Sequence, residues 1–239
     1  MRLVIMQPSY LPWLGYFDLL LQSDLFLVYD NVQFDKDGWR NRNRIKTPSG
    51  AQWLTVPVLT KGMNRPTNRE IRINTADPWR RKHLKSLEMN YRKATYFDEI
   101  YPKMEEFLSK SWESLMDLNM EGLKIFCDYL GIQTRIQFAS DLQIDLPDDR
   151  NDKLVAMCCH LKANEFYEPE GGRGYIDAKK FEENDIRLFF QDFKHPTYPQ
   201  LHGAFISHLS VIDCLFNCGK KSIDLIKTSL KGTKEGTLS

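Results

Sequence analysis

The sequence has no long hydrophobic run. None of its segments approaches the roughly 20 apolar residues that a helix needs to span a bilayer. Its first residues, MRLVIMQP, enter a strand-like run without the apolar stretch and small-residue cleavage site of a signal peptide. These absences argue against an integral membrane protein, and we expect a cytoplasmic one.

The sequence also lacks cysteine pairs and an excess of charge of either sign. Its five cysteines are an odd number and form no CxxC pair, and no Cys/His spacing suggests a zinc site. We therefore expect reduced thiols in the core and no resident metal. The net charge of +1 argues against nucleic acid as a partner, so binding of an anion must come from a local arrangement of side chains.

The opening of the chain predicts a βαβ unit. Leu3 to Met6 and Asp24 to Asp30 are short apolar runs typical of buried strands. Between them, Leu14, Phe17 and Leu21 recur at helical spacing. Strands and helices alternate again from RIQFA to RLFFQDF, so the chain returns to the same sheet. We predict an α/β fold with a mainly parallel, Rossmann-like sheet.

The middle of the chain predicts two further segments within a single α/β domain of residues 1–239. Short extended pieces at about 39–74 indicate an antiparallel β insertion. A helical segment follows at about 77–131, with Asp77 as its N-cap, Pro78 as its first helical residue and Gly131 at its end. The polar residues at about 231–239 form a tail.

The loop after the first predicted strand, QPSYLPWLGY, is a candidate binding lip. Two prolines stiffen it, and a glycine allows close approach where the next helix begins. The same loop stands where nucleotidylyltransferases of the HIGH type carry two histidines, here replaced by aromatic residues that supply no cation. Packing of the aromatic residues under a neighbouring segment is the alternative. The candidate residues are Gln7, Tyr10, Trp13, Gly15 and Tyr16.

The stretch YDNVQFDKDGWRNRNRIK is a candidate site for a charged ligand. If its end is extended, three arginines share one face and two asparagines the other, because side chains alternate along a strand. Such a ladder of guanidinium groups suits a nucleotide-sugar diphosphate or a uronate, whereas a solvated basic edge strand is the alternative. The residues are Asp30, Gln33, Arg40, Asn41, Arg42, Asn43 and Arg44.

Two later stretches also carry candidate residues. EPEGGRGYID contains Arg173 in a turn that either cradles a phosphate or needs glycines with positive φ. In HPTYPQLHGAFISHL, His195 is the preferred general base and His202 the second choice, with Gln200 between them. Asp213, in an apolar helix, needs a cap or an ion-pair partner if it is buried.

Six blocks of the sequence together resemble the WbqC-like family. They are IMQPSYLPWLGYFDLL, FLVYDNVQF, GWRNRNRIK, WLTVPV, YPQLHGAF and LSVIDCLFNCG, in the order found in that family. Genes of the family lie in clusters for O-antigen and other surface polysaccharides, and a glycine transferase role has been suggested for some members. The resemblance implies a substrate class but no established set of catalytic residues.

The leading hypothesis is a transferase that forms an amide on a sugar. It would move an aminoacyl, acyl or glycyl group to an amino sugar or a uronic acid. Attack by an amine needs a base and donors for the oxyanion that develops. We assign the base to His195 or His202, and the donors to Arg42, Arg44, Asn41 or Asn43.

Two other hypotheses stay open. One is an enzyme of HIGH-like fold that uses ATP or CTP to adenylate or nucleotidylate its substrate. The other is a non-catalytic binding module of a polysaccharide assembly complex. No cofactor is identified beyond a nucleotide or an activated acyl or aminoacyl donor. A nucleotide sugar or sugar acid is the expected partner, a homo-oligomer is left open, and the sequence does not say whether the C-terminal histidines meet the N-terminal loops.

Overall fold

The computed structural model of the protein describes residues 1–228, so the polar tail predicted at about 231–239 lies outside the described residues. Over the described range, no helix has the length and apolar character needed to cross a membrane. Four of the five cysteines are buried, as expected for core thiols, whereas Cys159 is exposed.

Strands and helices alternate along most of the described chain. The strands are β1 (Arg2–Met6), β2 (Leu25–Val28), β3 (Arg42–Thr47), β4 (Gly50–Thr55), β5 (Val58–Leu59), β6 (Arg72–Ile73), β7 (Arg135–Phe138), β8 (Glu165–Glu168) and β9 (Arg187–Phe190). The helices are α1 (Leu14–Leu21), α2 (Trp79–Tyr91), α3 (Phe97–Ser109), α4 (Leu115–Leu130), α5 (Arg150–His160), α6 (Ala178–Glu182), α7 (Val211–Cys218) and α8 (Ser222–Thr228).

Five strands form one parallel sheet in the order β7-β2-β1-β8-β9. β1 pairs in parallel with β2, with Leu3 opposite Leu25, and also in parallel with β8. This arrangement confirms the predicted α/β fold, the opening βαβ unit and the Rossmann-like sheet. Because the strand order reverses its direction at β1, the carboxyl ends of β1 and β8 form the switch point at which open parallel sheets bind their ligands.

Apolar side chains cover both faces of this sheet. Val4 and Phe26 point into a large core on the first face, which also buries Phe17 of α1 and Phe216 of α7. On the second face, Leu3 and its neighbours pack under α5 and α6 in a smaller core. Successive residues of a strand point to opposite faces, so each strand contributes to both cores.

The region of residues 42–73 contains two small antiparallel pairs. β3 pairs with β4, and β5 with β6. In β3, Asn43 and Ile45 are buried, whereas Arg42 and Arg44 are only partly buried, which is the alternation that the sequence predicts. The hairpin therefore holds its arginines on an accessible face.

Three helices, α2 to α4, fill most of residues 79–130. The predicted N-cap at Asp77 is wrong by one residue, because α2 begins at Trp79 and Pro78 occupies the cap position. The Asp77 carboxylate instead pairs with Lys82 Nζ at 2.9 Å. At the other end, Gly131 closes α4 in the left-handed conformation, with φ of 70°, as predicted.

Candidate active site at the carboxyl edge of the sheet

The opening loop and the C-terminal histidines meet at Trp13. The indole of Trp13 stacks on the ring of His195 with centroids 6.3 Å apart and on that of His208 with centroids 5.1 Å apart. The backbone joins the same segments, since the amide of Val211 donates to the carbonyl oxygen of Pro12 at 2.7 Å. The sequence could not show this meeting. We call Trp13, Phe193, His195, Phe205 and His208 the tryptophan–histidine cluster.

His195 is a neutral imidazole with one free nitrogen. Its Nδ1 donates to the carbonyl oxygen of Pro196 at 2.9 Å, so Nε2 carries the lone pair. That Nε2 is buried and accepts no hydrogen bond from residues 1–228. Burial, and to a smaller extent the nearby His208, lowers the pKa of His195. At neutral pH the free nitrogen is therefore ready to accept a proton.

The β3–β4 hairpin joins this cluster through Arg44. The Arg44 guanidinium donates to the carbonyl oxygen of His208 at 3.2 Å, and the amide of Ser210 donates to the carbonyl oxygen of Arg44 at 2.9 Å. Burial and the Arg44 charge lower the pKa of His208. The positively charged guanidinium of Arg44 thus lies beside His208, whose pKa is lowered.

The two arginines of the hairpin lie over the rings of two exposed tryptophans. Trp39 and Trp53 are 38% and 42% exposed, and their rings lie 5.1 Å apart. The Arg42 guanidinium lies 4.6 Å from the Trp53 ring, and that of Arg44 lies 5.4 Å from the Trp39 ring. We call Trp39, Arg42, Arg44 and Trp53 the tryptophan–arginine face.

Arg40 does not extend the arginine ladder. It precedes β3, and its guanidinium donates to the carbonyl oxygen of Pro8 at 3.0 Å and to Ser9 Oγ at 3.2 Å. The three-arginine ladder was therefore the wrong expectation, because the strand begins only at Arg42. Arg40 instead fastens the opening loop to the start of the hairpin.

Two aromatic residues of the opening loop belong to the core and not to an accessible wall. Tyr10 and Tyr16 are almost fully buried. The Tyr10 hydroxyl bonds His83 Nδ1, and the Tyr16 hydroxyl donates to the carbonyl oxygen of Gln7. Gly15 makes room for Trp13, since a Cβ atom there would lie 2.2 Å from the indole. Of the predicted aromatic lip, only Trp13 stacks on His195 and His208.

The two asparagines of the hairpin hold backbone together. The Asn41 side chain donates to the carbonyl oxygen of Val56 at 2.8 Å. That of Asn43 donates to the carbonyl oxygens of Tyr10 and Leu11. Because both amide groups are buried and their N–H donors are directed at backbone carbonyls, this geometry argues against a role as oxyanion donors. The guanidinium groups of Arg42 and Arg44 also donate to backbone carbonyl oxygens, but each is only partly buried and has further N–H donors.

Gln200 and His202 also make structural contacts. Gln200 Nε2 donates to Asp213 Oδ2 at 2.7 Å, and Asp213 further accepts from the hydroxyls of Tyr91 and Tyr198. Neutral donors, not the expected cap or ion pair, therefore satisfy this buried carboxylate. His202 Nε2 donates to the carbonyl oxygen of Asn90, which leaves the lone pair on Nδ1, but the His202 ring does not stack with the rings of the tryptophan–histidine cluster.

The ends of β1 and β2 hold a second group of polar side chains. Asp30 is fully buried and accepts from Arg69 at 2.9 Å and from the Ser140 hydroxyl at 2.7 Å. Gln7 accepts from Asn68 at 3.1 Å through its side-chain oxygen. Gln33, by contrast, is exposed and pairs with Thr67 through the backbone. Asp30 therefore orders this edge of the sheet and is not free to bind a ligand.

The turn after β8 differs from the expectation of glycines with positive φ. It is a 3₁₀ turn over Glu170–Gly174, and none of its glycines has positive φ. Gly172 is required for another reason, because a Cβ atom there would lie 2.2 Å from Cγ of Glu168. Arg173 lies over the Phe190 ring at 4.5 Å.

Sequence reasoning missed Glu168 as a candidate. It is the last residue of β8 and only 5% exposed, and burial raises its pKa to about 7. The rule that ligands bind beyond the carboxyl ends of parallel strands would have indicated it, since the strand EFYEP was predicted. No group of three or more His, Cys, Asp or Glu side chains within residues 1–228 is placed to hold a metal ion.

Comparison with known proteins shows the family of this chain. The model of the WbqC-like protein family matches residues 7–225. The uncharacterized protein Rv1507c of Mycobacterium tuberculosis is 38% identical over 228 residues, which cover 95% of this chain and 97% of that protein. No solved structure matches the chain. The match to the family model includes the opening loop, the hairpin and both histidines of the cluster, and the chain belongs to the WbqC-like protein family.

Proposed function

We propose that the protein is a transferase that forms an amide on a sugar, in the assembly of a surface polysaccharide. The observation that carries the proposal is the free, buried Nε2 of His195 beside Trp13, on a cluster that Arg44 joins to the tryptophan–arginine face. A base, an aromatic surface and two guanidinium groups are the parts that such a reaction needs. The polysaccharide context follows from what the resemblance to the WbqC-like family implies.

The proposed chemistry assigns one role to each part. The amine of the acceptor attacks the acyl carbon of an activated acyl or aminoacyl donor, and its nitrogen forms the new C–N bond. The leaving group departs with its electron pair, and the amine proton passes to Nε2 of His195. Arg42 and Arg44 hold the charged part of the sugar substrate and stabilise the oxyanion. The tryptophans supply an apolar surface against which a sugar ring can pack.

The substrate must displace part of the chain to reach the base. The segment 199–208 contains no helix or strand, and His202, Gly203 and His208 have positive φ. Lys46 Nζ holds this segment by donating to the carbonyl oxygens of Gly203 and Ala204, at 3.2 Å and 2.6 Å. Movement of this segment away from Trp13 would open Nε2 of His195 to an amine.

A thermal-shift screen tests the proposal. The ligands are UDP- and GDP-amino sugars, UDP-uronates, acyl-CoAs, glycine, and ATP or CTP with Mg²⁺. A ligand that binds only the folded state raises its melting temperature by mass action. We expect a nucleotide sugar to stabilise the protein, and the double variant Arg42→Ala/Arg44→Ala to lose the shift. The double variant Arg65→Ala/Arg81→Ala removes the same charge outside the site and should keep it.

Turnover then separates binding from catalysis. With the donor and acceptor found in the screen, we expect His195→Gln to bind both and to form amide at least 100-fold more slowly, because a general base contributes about 10²–10⁴-fold. A response to ATP or CTP alone would replace the proposal with nucleotidylyl transfer. No response to any ligand would favour a non-catalytic binding module.

A further inference from the structure

A second group of unpaired polar atoms lies at the switch point of the sheet. β1 ends between β2 and β8, and these three strands are followed by Gln7, by Tyr29 and by the turn after Glu168. Gln7 uses its side-chain oxygen to accept from Asn68, while its amide nitrogen makes no hydrogen bond within residues 1–228. Ligands of open parallel sheets lie in the crevice at this position.

Glu168 ends β8 at the switch point, and only one oxygen of its carboxyl group accepts a hydrogen bond from the described part of the chain. The Tyr175 hydroxyl donates to Oε1 at 2.8 Å, and no donor from residues 1–228 reaches Oε2. The absence of a side chain at Gly172 makes room for the carboxyl group, since a Cβ atom there would lie 2.5 Å from Oε1. A carboxyl oxygen without a partner in the protein can accept a hydrogen bond from a ligand hydroxyl or amine.

Arg150 adds an unpaired cation. It is the first residue of α5, and its guanidinium lies 3.5 Å from the centre of the Tyr175 ring, whose hydroxyl bonds Glu168. No carboxylate within residues 1–228 forms an ion pair with it, and its five N–H donors make no hydrogen bond there. Its charge lowers the pKa values of Tyr29, which follows β2, and of Glu168, which ends β8, so it lies within electrostatic reach of both.

We propose that this switch point binds a small anionic sugar, meaning a sugar acid or a sugar phosphate. Arg150 holds the anionic group, since a guanidinium matches two oxygens of a carboxylate or phosphate. The free oxygen of Glu168 accepts from a neighbouring hydroxyl, and the Gln7 amide donates to another. The binding site stands on its own contacts, and only its assignment to the second substrate of a transferase rests on the proposed function.

The protonation of the Glu168 carboxyl near neutral pH is consistent with this binding site. Burial raises its pKa to about 7, against the donor Tyr175 and the charge of Arg150, which both lower it. A ligand that bonds the carboxyl changes this balance. Binding at pH 7 is therefore accompanied by the uptake or release of protons at Glu168.

Calorimetric titration of the full chain tests the proposal with four probes. Glucuronate and glucose 1-phosphate carry an anion and hydroxyls, glucose carries hydroxyls alone, and inorganic phosphate carries the anion alone. We expect the first two to bind at least tenfold more tightly than either control. Arg150→Ala should weaken their binding at least tenfold, whereas Lys162→Gln, which removes a charge just beyond the other end of α5, should not.

Glu168 is tested by the heat of binding of glucuronate at pH 7 in two buffers of different ionisation enthalpy. We expect the heat to depend on the buffer in the wild type and in Glu165→Gln, a matched change in the same strand, but not in Glu168→Gln. Circular dichroism confirms that each variant is folded.

Four outcomes would overturn the proposal. They are no binding of glucuronate or glucose 1-phosphate to the wild type, equal binding of inorganic phosphate, unchanged affinity in Arg150→Ala, and a buffer dependence that persists in Glu168→Gln. Loss of binding in Arg42→Ala/Arg44→Ala alone would place the sugar on the tryptophan–arginine face instead. Failure of this site is thus distinct from failure of the proposed transferase, which depends on His195 and the hairpin.

Discussion

Glu168 shows how burial sets the behaviour of a single residue. Its carboxyl is almost fully covered, and its hydrogen-bond donor, Tyr175, is neutral. Removal from water disfavours the charged form of a carboxyl, and one neutral donor offsets this only in part. The folded protein therefore keeps this proton to higher pH than the unfolded chain does.

This retention predicts a pH dependence of stability. The pKa of Glu168 rises from 4.5 in the unfolded chain to about 7 in the folded protein. Between these values the folded state binds more protons, so this residue's contribution to stability is complete below pH 4.5 and is lost as pH rises through 7. From pH 4.5 to pH 8, we expect the free energy of unfolding of Glu168→Gln to gain about 3 kcal/mol relative to the wild type.

Urea unfolding at a series of pH values measures this difference. Tyr175→Phe provides a second check, because loss of the donor raises the pKa of Glu168 further and extends the change above pH 7. A difference between Glu168→Gln and the wild type that stays constant over the whole range would contradict the prediction.

At the scale of elements, the sequence predicts most strands and helices because their signals are local. The spacing of Leu14, Phe17 and Leu21 defines α1, and the alternation along RNRIKT defines β3. Errors occur at the ends of elements. At the start of α2, Asp77 suits a cap and Pro78 a first turn, but Pro78 occupies the cap position and the Asp77 side chain pairs with Lys82.

The β3–β4 hairpin also fixes the position of the segment 199–208. Lys46 is buried, and its ammonium group donates to two carbonyl oxygens of that segment. We expect Lys46→Met to leave those carbonyls without their donor and to increase amide exchange in residues 199–208 at least tenfold. Exchange in β1 and β2 should stay unchanged, because their amides lie in the sheet.

Hydrogen exchange followed by mass spectrometry measures this change in the intact protein. Lys61→Met, which removes an exposed lysine elsewhere in the β insertion, serves as the matched control. Equal exchange in Lys46→Met and the wild type would mean that the segment is held by Gln200 and the backbone, and not by the lysine.

At the scale of the whole molecule, the candidate site depends on contacts that no local pattern contains. Trp13 and His195 are separated by 182 positions, yet their rings stack. The sequence indicates both as candidates by residue type, but only the fold brings them together. The fold also argues against other candidate residues. Tyr10 and Asn43 have side chains suited to a binding site, but Tyr10 is buried in the core and the Asn43 amide donates to backbone carbonyl oxygens.

The larger core predicts that the chain unfolds as one unit. It combines Val4 of β1, Ile45 of β3, Phe107 of α3 and Phe216 of α7. Because the hairpin, the helical middle and the closing helices bury their apolar sides against one another, none keeps its core when the others unfold. We expect urea unfolding followed by circular dichroism and by tryptophan fluorescence to give the same midpoint.

The positions of the tryptophans allow this prediction to be tested part by part. Trp39 and Trp53 report on the hairpin, whereas Trp79 and Trp112 report on the helical middle. In the double variant Trp39→Phe/Trp53→Phe, tryptophan fluorescence no longer reports on the hairpin. We expect the unfolding midpoint measured by fluorescence still to equal the midpoint measured by circular dichroism. Two separate transitions would show that the segment at about 39–131 is a domain of its own. A single transition places the hairpin, and with it Arg42 and Arg44, in the same cooperative unit as the sheet that carries Glu168, so both proposed sites would form and be lost together.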